Sequence, residues 1–184
     1  MQSGELTFDV IARTIHRQRR AMNLTRAQLA ERAGVTPANL AHIERHALTT
    51  RWDTLIKILK PLYLEYDVYD PDVGFHPTRR SSRGLPPQIT MEEVGKLIRT
   101  ARRRQGYTQK QFAKAATLNR LTLIRIERGN PNCSWKGVLS CLLVLNLQQR
   151  LILDEERSRQ YTIDIKRDPL YLRKYRKHSA GAAP

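Results

Sequence analysis

The chain is 184 residues long, enough for one large or two small domains with a real core, and carries 33 Lys and Arg against 17 Asp and Glu, a formal net charge of +16. That excess calls for a polyanionic partner, nucleic acid or an anionic membrane surface, but no run of 18 or more apolar residues offers a membrane span. With no charged-then-apolar leader, and with Cys133 and Cys141 forming neither a disulfide framework nor a zinc signature, a soluble protein of a reducing cytoplasmic compartment is expected.

Val10, Ile11, Thr14, Ile15 and Gln18 recur at helical spacing and predict a first helix. Thr25, with Gln28 three residues on, is a capping box that opens a second helix in "LTRAQLAERAGV" (24–35), and Gly34 suits the left-handed residue after it. Thr36 caps a third helix with Pro37 at its first position, and a fourth runs from about Trp52 to Leu59. Residues 62–78 hold four acids and no Lys or Arg, and 79–90, "RRSSRGLPPQIT", read as a flexible linker.

The pattern then begins again. A shift of 83 residues sets Ile11 on Val94, Ile15 on Ile98, Arg19 on Arg102, Thr25 on Thr108, Gln28 on Gln111, Ala30 on Ala113 and Trp52 on Trp135. One register over about fifty residues reads as an internal duplication. In the second copy Thr108 and Gln111 repeat the capping box, Asn119 takes the place of Thr36 as a cap, and a fourth helix is expected over about Ser134–Leu145. "YLEYDVY" (63–69) and "YTIDIK" (161–166) alternate and read as short strands that pair. The apolar run "VLSCLLVLNLQQRLIL" (138–153) exceeds what one small bundle needs and reads as a dimer face or as packing for the C-terminal segment. The expected organisation is a first helical domain over 1–62, an acidic Tyr-rich segment and linker over 63–90, a second helical domain over 91–147, and an extension with a basic tail over 148–184.

"LTRAQLAERAGVTPANLAHIER" and its copy "TQKQFAKAATLNRLTLIRIERGN" resemble the Cro/repressor-type (XRE) helix-turn-helix family, over roughly 8–62 and 91–146. Thr117 stands where that turn usually has Gly. The resemblance implies an all-α fold, two tandem five-helix-type helix-turn-helix bundles joined by a linker, with room for a small two-stranded β element. It also implies a double-stranded DNA operator as partner, read from major grooves. In that family the Glu of the motif pairs with an Arg of the first helix, which here gives Arg19 with Glu44 and Arg102 with Glu127. Contacts come from the start and outward face of the third helix: Thr36, Pro37, Ala38, Asn39, Ala41 and His42 in copy one, Asn119, Arg120, Thr122 and Arg125 in copy two. Arginine grips guanine bidentately, so the second face is the richer reader. Arg26 and Gln109, at the start of the second helices, are expected at phosphates.

Other constellations are weaker. His42 and His46 have the i, i+4 spacing of a helical zinc pair but no third ligand, and "DVYDPDVG" lacks the bidentate Glu of a calcium loop. With no phosphate-binding glycine loop, nucleophile elbow or carboxylate pair, neither an enzyme nor a cofactor is expected. The tyrosines of 63–69 and 161–175 read as packing, and "RKYRKH" (173–178) as a solvated tail or a phosphate-contacting arm. The expected function is a nucleoid-associated bacterial or phage-type transcriptional regulator with two reading heads in one chain, the connection 63–90 being long enough to span the ~34 Å between adjacent groove faces. A homodimer stays open. So does the alternative of an antitoxin or anti-activator that binds a regulatory protein, with 62–72 as docking surface.

Overall fold

The computed structural model describes residues 8–45, 50–73, 88–155 and 158. The element order is α1 Phe8–Ala21, α2 Arg26–Ala33, α3 Pro37–Arg45 and α4 Trp52–Leu59, a 3-10 turn Lys60–Leu62, β1 Leu64–Tyr69, then α5 Met91–Arg104, α6 Gln109–Ala115, α7 Arg120–Glu127, α8 Trp135–Val144 and β2 Gln148–Leu153. The expected strand 161–166, the basic tail, His46 and most of the 79–90 linker lie outside the described residues.

Amphipathic spacing sets which face of each helix is buried. α1 buries Ile11, Ala12 and Ile15, and α5 buries Val94, Gly95 and Ile98 at the corresponding places. α1 and α2 pack on α3 as α5 and α6 pack on α7. Gly95 is where a longer side chain would not fit, because a Cβ there would lie 2.5 Å from the Ile126 carbonyl oxygen. The capping boxes form at Thr25–Gln28 and Thr108–Gln111, and a third, Thr90–Glu93, starts α5.

The turns recur in the same register. Left-handed backbone appears at Asn23 and Gly106, at Gly34 and Thr117, and at Tyr63 and Asn146, each pair 83 residues apart. In the turn after α2 the Val35 amide bonds the Ala30 carbonyl, and after α6 the Leu118 amide bonds the Ala113 carbonyl.

The structure departs from the five-helix expectation. Among the described residues each half has four α-helices rather than five, and each set of four is followed by a strand. Tyr63 and Asn146, both left-handed, break the chain out of its helical course, and the segments that follow are paired in a sheet. β1 and β2 form a two-stranded antiparallel sheet with Leu64 opposite Leu153 and Tyr69 opposite Gln148. The strand expected at 63–69 is therefore present, but its partner is 148–153. The 138–153 run forms α8, whose Val138, Leu139 and Leu142 are core, and this strand, and leaves Leu143 and Leu153 exposed.

The sheet and the α4 and α8 starts join the two halves. Arg51 and Ser134 form an isolated antiparallel bridge, the Trp52 amide donates to the Cys133 carbonyl at 2.9 Å, and the Trp135 amide donates to the Thr50 carbonyl at 2.8 Å. Tyr66 stands edge-on to both Trp52 and Trp135, at centroid distances of 5.4 and 6.3 Å. Gln88, just before α5, donates from Nε2 to the Leu64 carbonyl at 2.9 Å. Both ends of the 63–90 connection are thus anchored at the sheet, so a stretched spacer is not what separates the halves.

The acidic segment is not an open face either. Leu62, Leu64, Glu65, Tyr66, Asp67, Val68 and Asp70 are buried. Arg150 Nε donates to Asp67 Oδ2 at 2.9 Å, Arg104 pairs with Asp70 at 2.7 Å and with Asp72, and the Tyr66 hydroxyl bonds Gln149. Buried carboxylates need such partners, and Asp67 and Asp70 find them in Arg150 and Arg104.

Candidate nucleic-acid interface

α2, its turn and α3 form a helix-turn-helix whose foundation is a buried ion cluster. Arg19, on α1, donates from Nε to Glu44 Oε1 at 2.5 Å and from Nη2 to Oε2 at 3.2 Å. Its Nη1 reaches the Leu24 carbonyl at 2.8 Å, so one guanidinium ties the α1–α2 turn to the end of α3. Arg26 Nε adds a bond to Glu44 Oε2 at 2.8 Å, and His16 Nδ1 lies 3.3 Å from the same oxygen. Burial pushes the Glu44 carboxyl up, but the bonds from Arg19, Arg26 and His16 and the Arg19 charge outweigh it and hold it below its ordinary value.

The same cluster recurs beneath α7. Arg102 Nε donates to Glu127 Oε1 at 2.5 Å, its Nη1 reaches the Tyr107 carbonyl at 2.6 Å, and Gln109 Nε2 donates to Glu127 Oε2 at 3.0 Å. Arg26 and Gln109, read from the sequence as phosphate contacts, are thus also the third members of these clusters. No spacing rule signals that. What the sequence offers is only their shared position, one residue after the cap Thr.

The anchored helices turn a polar face outward. On α3, Leu40, Ile43 and Glu44 are buried, while Pro37, Ala38, Asn39 and His42 are exposed and Ala41 is half-buried. Thr36, also exposed, accepts from the Asn39 amide through Oγ1 at 3.1 Å and so acts as the cap. On α7, Leu123, Ile126 and Glu127 are buried, Arg120 and Arg125 are exposed, and Thr122 is half-buried. Among the described residues no carboxylate lies within ion-pair distance of Arg120 or Arg125. Asn119 is exposed, but its Oδ1 accepts from the Thr122 amide at 2.7 Å. That cap takes up one lone pair of Oδ1 and starts the helix, while the second lone pair and the Nδ2 donors are not used by it.

One outward residue escaped the sequence reading. Leu121, the counterpart of Ala38, is 70% exposed between Arg120 and Thr122. An apolar residue off the Leu123–Ile126 stripe was the available signal, and a thymine methyl is the kind of group such a side chain meets in a major groove. An open basic cleft lined by His16, Arg19, Arg20, Asn23, Leu24, Thr25 and Arg26 adjoins the start of α2.

Cys133 and Cys141 are buried, and burial raises both thiols, Cys141 to about 12. Among the described residues no group of His, Cys, Asp and Glu could hold a metal ion, and no helix is long and apolar enough to cross a membrane. No curated protein and no solved structure matches the chain. A family model does: residues 15–62, from within α1 to the end of the 3-10 turn, match a helix-turn-helix family model, so this stretch is similar to the helix-turn-helix domains that DNA-binding transcriptional regulators carry.

Proposed function

We propose that the chain is a sequence-specific regulator of transcription, bacterial or phage in type, that reads double-stranded DNA through two helix-turn-helix heads, α2–α3 and α6–α7. The observation that carries the second head is the ion cluster. A buried Arg of the first helix, the Glu of the third helix, the carbonyl of the intervening turn and the first residue of the second helix meet at Arg19–Glu44–Leu24–Arg26 and again at Arg102–Glu127–Tyr107–Gln109. That geometry sets a helix proud of the surface, as entry into a groove about 12 Å wide requires.

The heads are unequal readers. α7 offers Arg120 and Arg125 with Leu121 beside them, and α3 offers Asn39 and His42 among Ala38 and Ala41. α7 therefore carries most of the sequence specificity, and Arg26 and the basic cleft beside it serve the phosphates. The competing reading, an antitoxin or anti-activator that docks a protein on one head, has less acidic surface to offer in 62–72, where Glu65, Asp67 and Asp70 are buried and Asp72 is exposed.

Selection from a random DNA library, with wild type beside Arg120→Ala/Arg125→Ala, tests the reading. A sharp motif for wild type that the double variant blurs at several positions is expected. Salt-sensitive binding with no motif, the same for both proteins, would transfer the weight to the protein-docking reading.

A further inference from the structure

We infer that the two heads are related by a local two-fold axis, so that a single chain reads two inverted, unlike half-sites in the way a pair of subunits reads a palindrome; this rests on the two-head reading above. The argument lies in which residues pair. Counterparts 83 positions apart meet each other at two places: Arg51 bridges Ser134 in antiparallel sense, and Asp67 faces Arg150 in the sheet. Around each place the contacts interchange when counterparts are exchanged. Swapping Trp52 with Trp135 and Thr50 with Cys133 turns the bond from the Trp52 amide to the Cys133 carbonyl into the bond from the Trp135 amide to the Thr50 carbonyl. In the sheet, Tyr66 opposite Leu151 becomes Val68 opposite Gln149 by the same exchange.

Units repeated by translation or by a screw join unlike patches, so counterparts do not face each other. A two-fold joins a patch to itself, with residue i on j and j on i, and pairs a residue with its own counterpart on the axis. Asp67–Arg150 and Arg51–Ser134 are two such self-paired points, and two points fix a line. The symmetry is one of backbone: Tyr66 stacks on both tryptophans while its counterpart is Gln149, and the Asp67–Arg150 pair is an acid facing a base.

The consequence concerns the DNA. The heads follow one another head to tail in sequence, which would suggest a direct repeat of half-sites. A two-fold between them reverses one head, so a shared duplex must offer inverted half-sites. Because the reading faces differ, no palindrome is visible in the natural target.

The test makes it visible. Grafting the α7 face onto α3, by Thr36→Asn, Pro37→Arg, Ala38→Leu, Asn39→Thr and His42→Arg, gives two like heads, and all five positions are exposed. Library selection with this full-length variant is expected to return a palindrome, bound by one chain per duplex in native mass spectrometry and at least about tenfold tighter than the same half-sites set as a direct repeat. A direct repeat, or a palindrome that needs two chains, would overturn the two-fold. A single half-site with no second would instead remove the two-head reading itself, and the inference with it.

Discussion

Glu44 shows how much one residue carries. It is buried, it accepts from Arg19 and Arg26, and its carboxyl is held below the ordinary 4.5. As pH falls below about 4.5 the unfolded chain takes up a proton that folded Glu44 resists, so stability is present above that value and is lost as pH falls through the folded one. Glu44→Gln leaves the buried Arg19 without its counter-charge and is expected to cost about 3 kcal/mol in urea unfolding at neutral pH. It should also flatten the acid limb of a melting-temperature profile taken from about pH 6 to pH 3.5. A variant as stable as wild type would mean that water replaces the cluster. The Arg19–Glu44 pair was legible because the resemblance names both positions. The roles of Arg26 and Gln109 were not, because a polar residue at a helix start reads equally well as a phosphate contact.

At the level of elements, the two turns between α2 and α3 and between α6 and α7 have one backbone and different residues. Gly34 sits at φ 64° and Thr117 at φ 56°. A β-branched residue in left-handed backbone is strained by about 1–2 kcal/mol, which glycine avoids at a smaller cost in unfolded-state entropy. Thr117→Gly is therefore expected to stabilise the chain by about 0.5–1 kcal/mol, a rise in Tm of roughly 2–3 °C by calorimetry. Gly34→Thr, with nothing within 4 Å of its added Cβ, should lose a similar amount from backbone strain alone. Opposite signs at these two sites are the check, and equal signs would refute it. The helices, their caps and this turn were readable, since short-range periodicity and capping decide them. The choice of a strand over a fifth helix was only half readable. "LEYDVY" alternates visibly, whereas "QQRLIL" does not, and becomes a strand because an anchored β1 lies beside it.

The whole molecule is held as one body by a small seam. Asp67 is 1% exposed and its Oδ1 has no hydrogen-bond partner among the described residues, so Arg150 is what compensates the charge. Arg150→Ala is expected to cost about 2 kcal/mol, and adding Asp67→Asn should recover part of that, a coupling that a double-mutant cycle in urea reads directly. Additive losses would mean that the pair does not bind the halves together. The +16 charge makes DNA affinity fall steeply with salt, and a phosphate-contacting residue reveals itself by lowering that slope. The most direct measurement is a hydroxyl-radical footprint of the full chain on its selected site, wild type beside Arg120→Ala/Arg125→Ala and Asn39→Ala/His42→Ala. Two protected patches about one helical turn apart, each weakened by only one of the double variants, are the expected result. A single patch, or two patches weakened together by one variant, would contradict two reading heads in one chain.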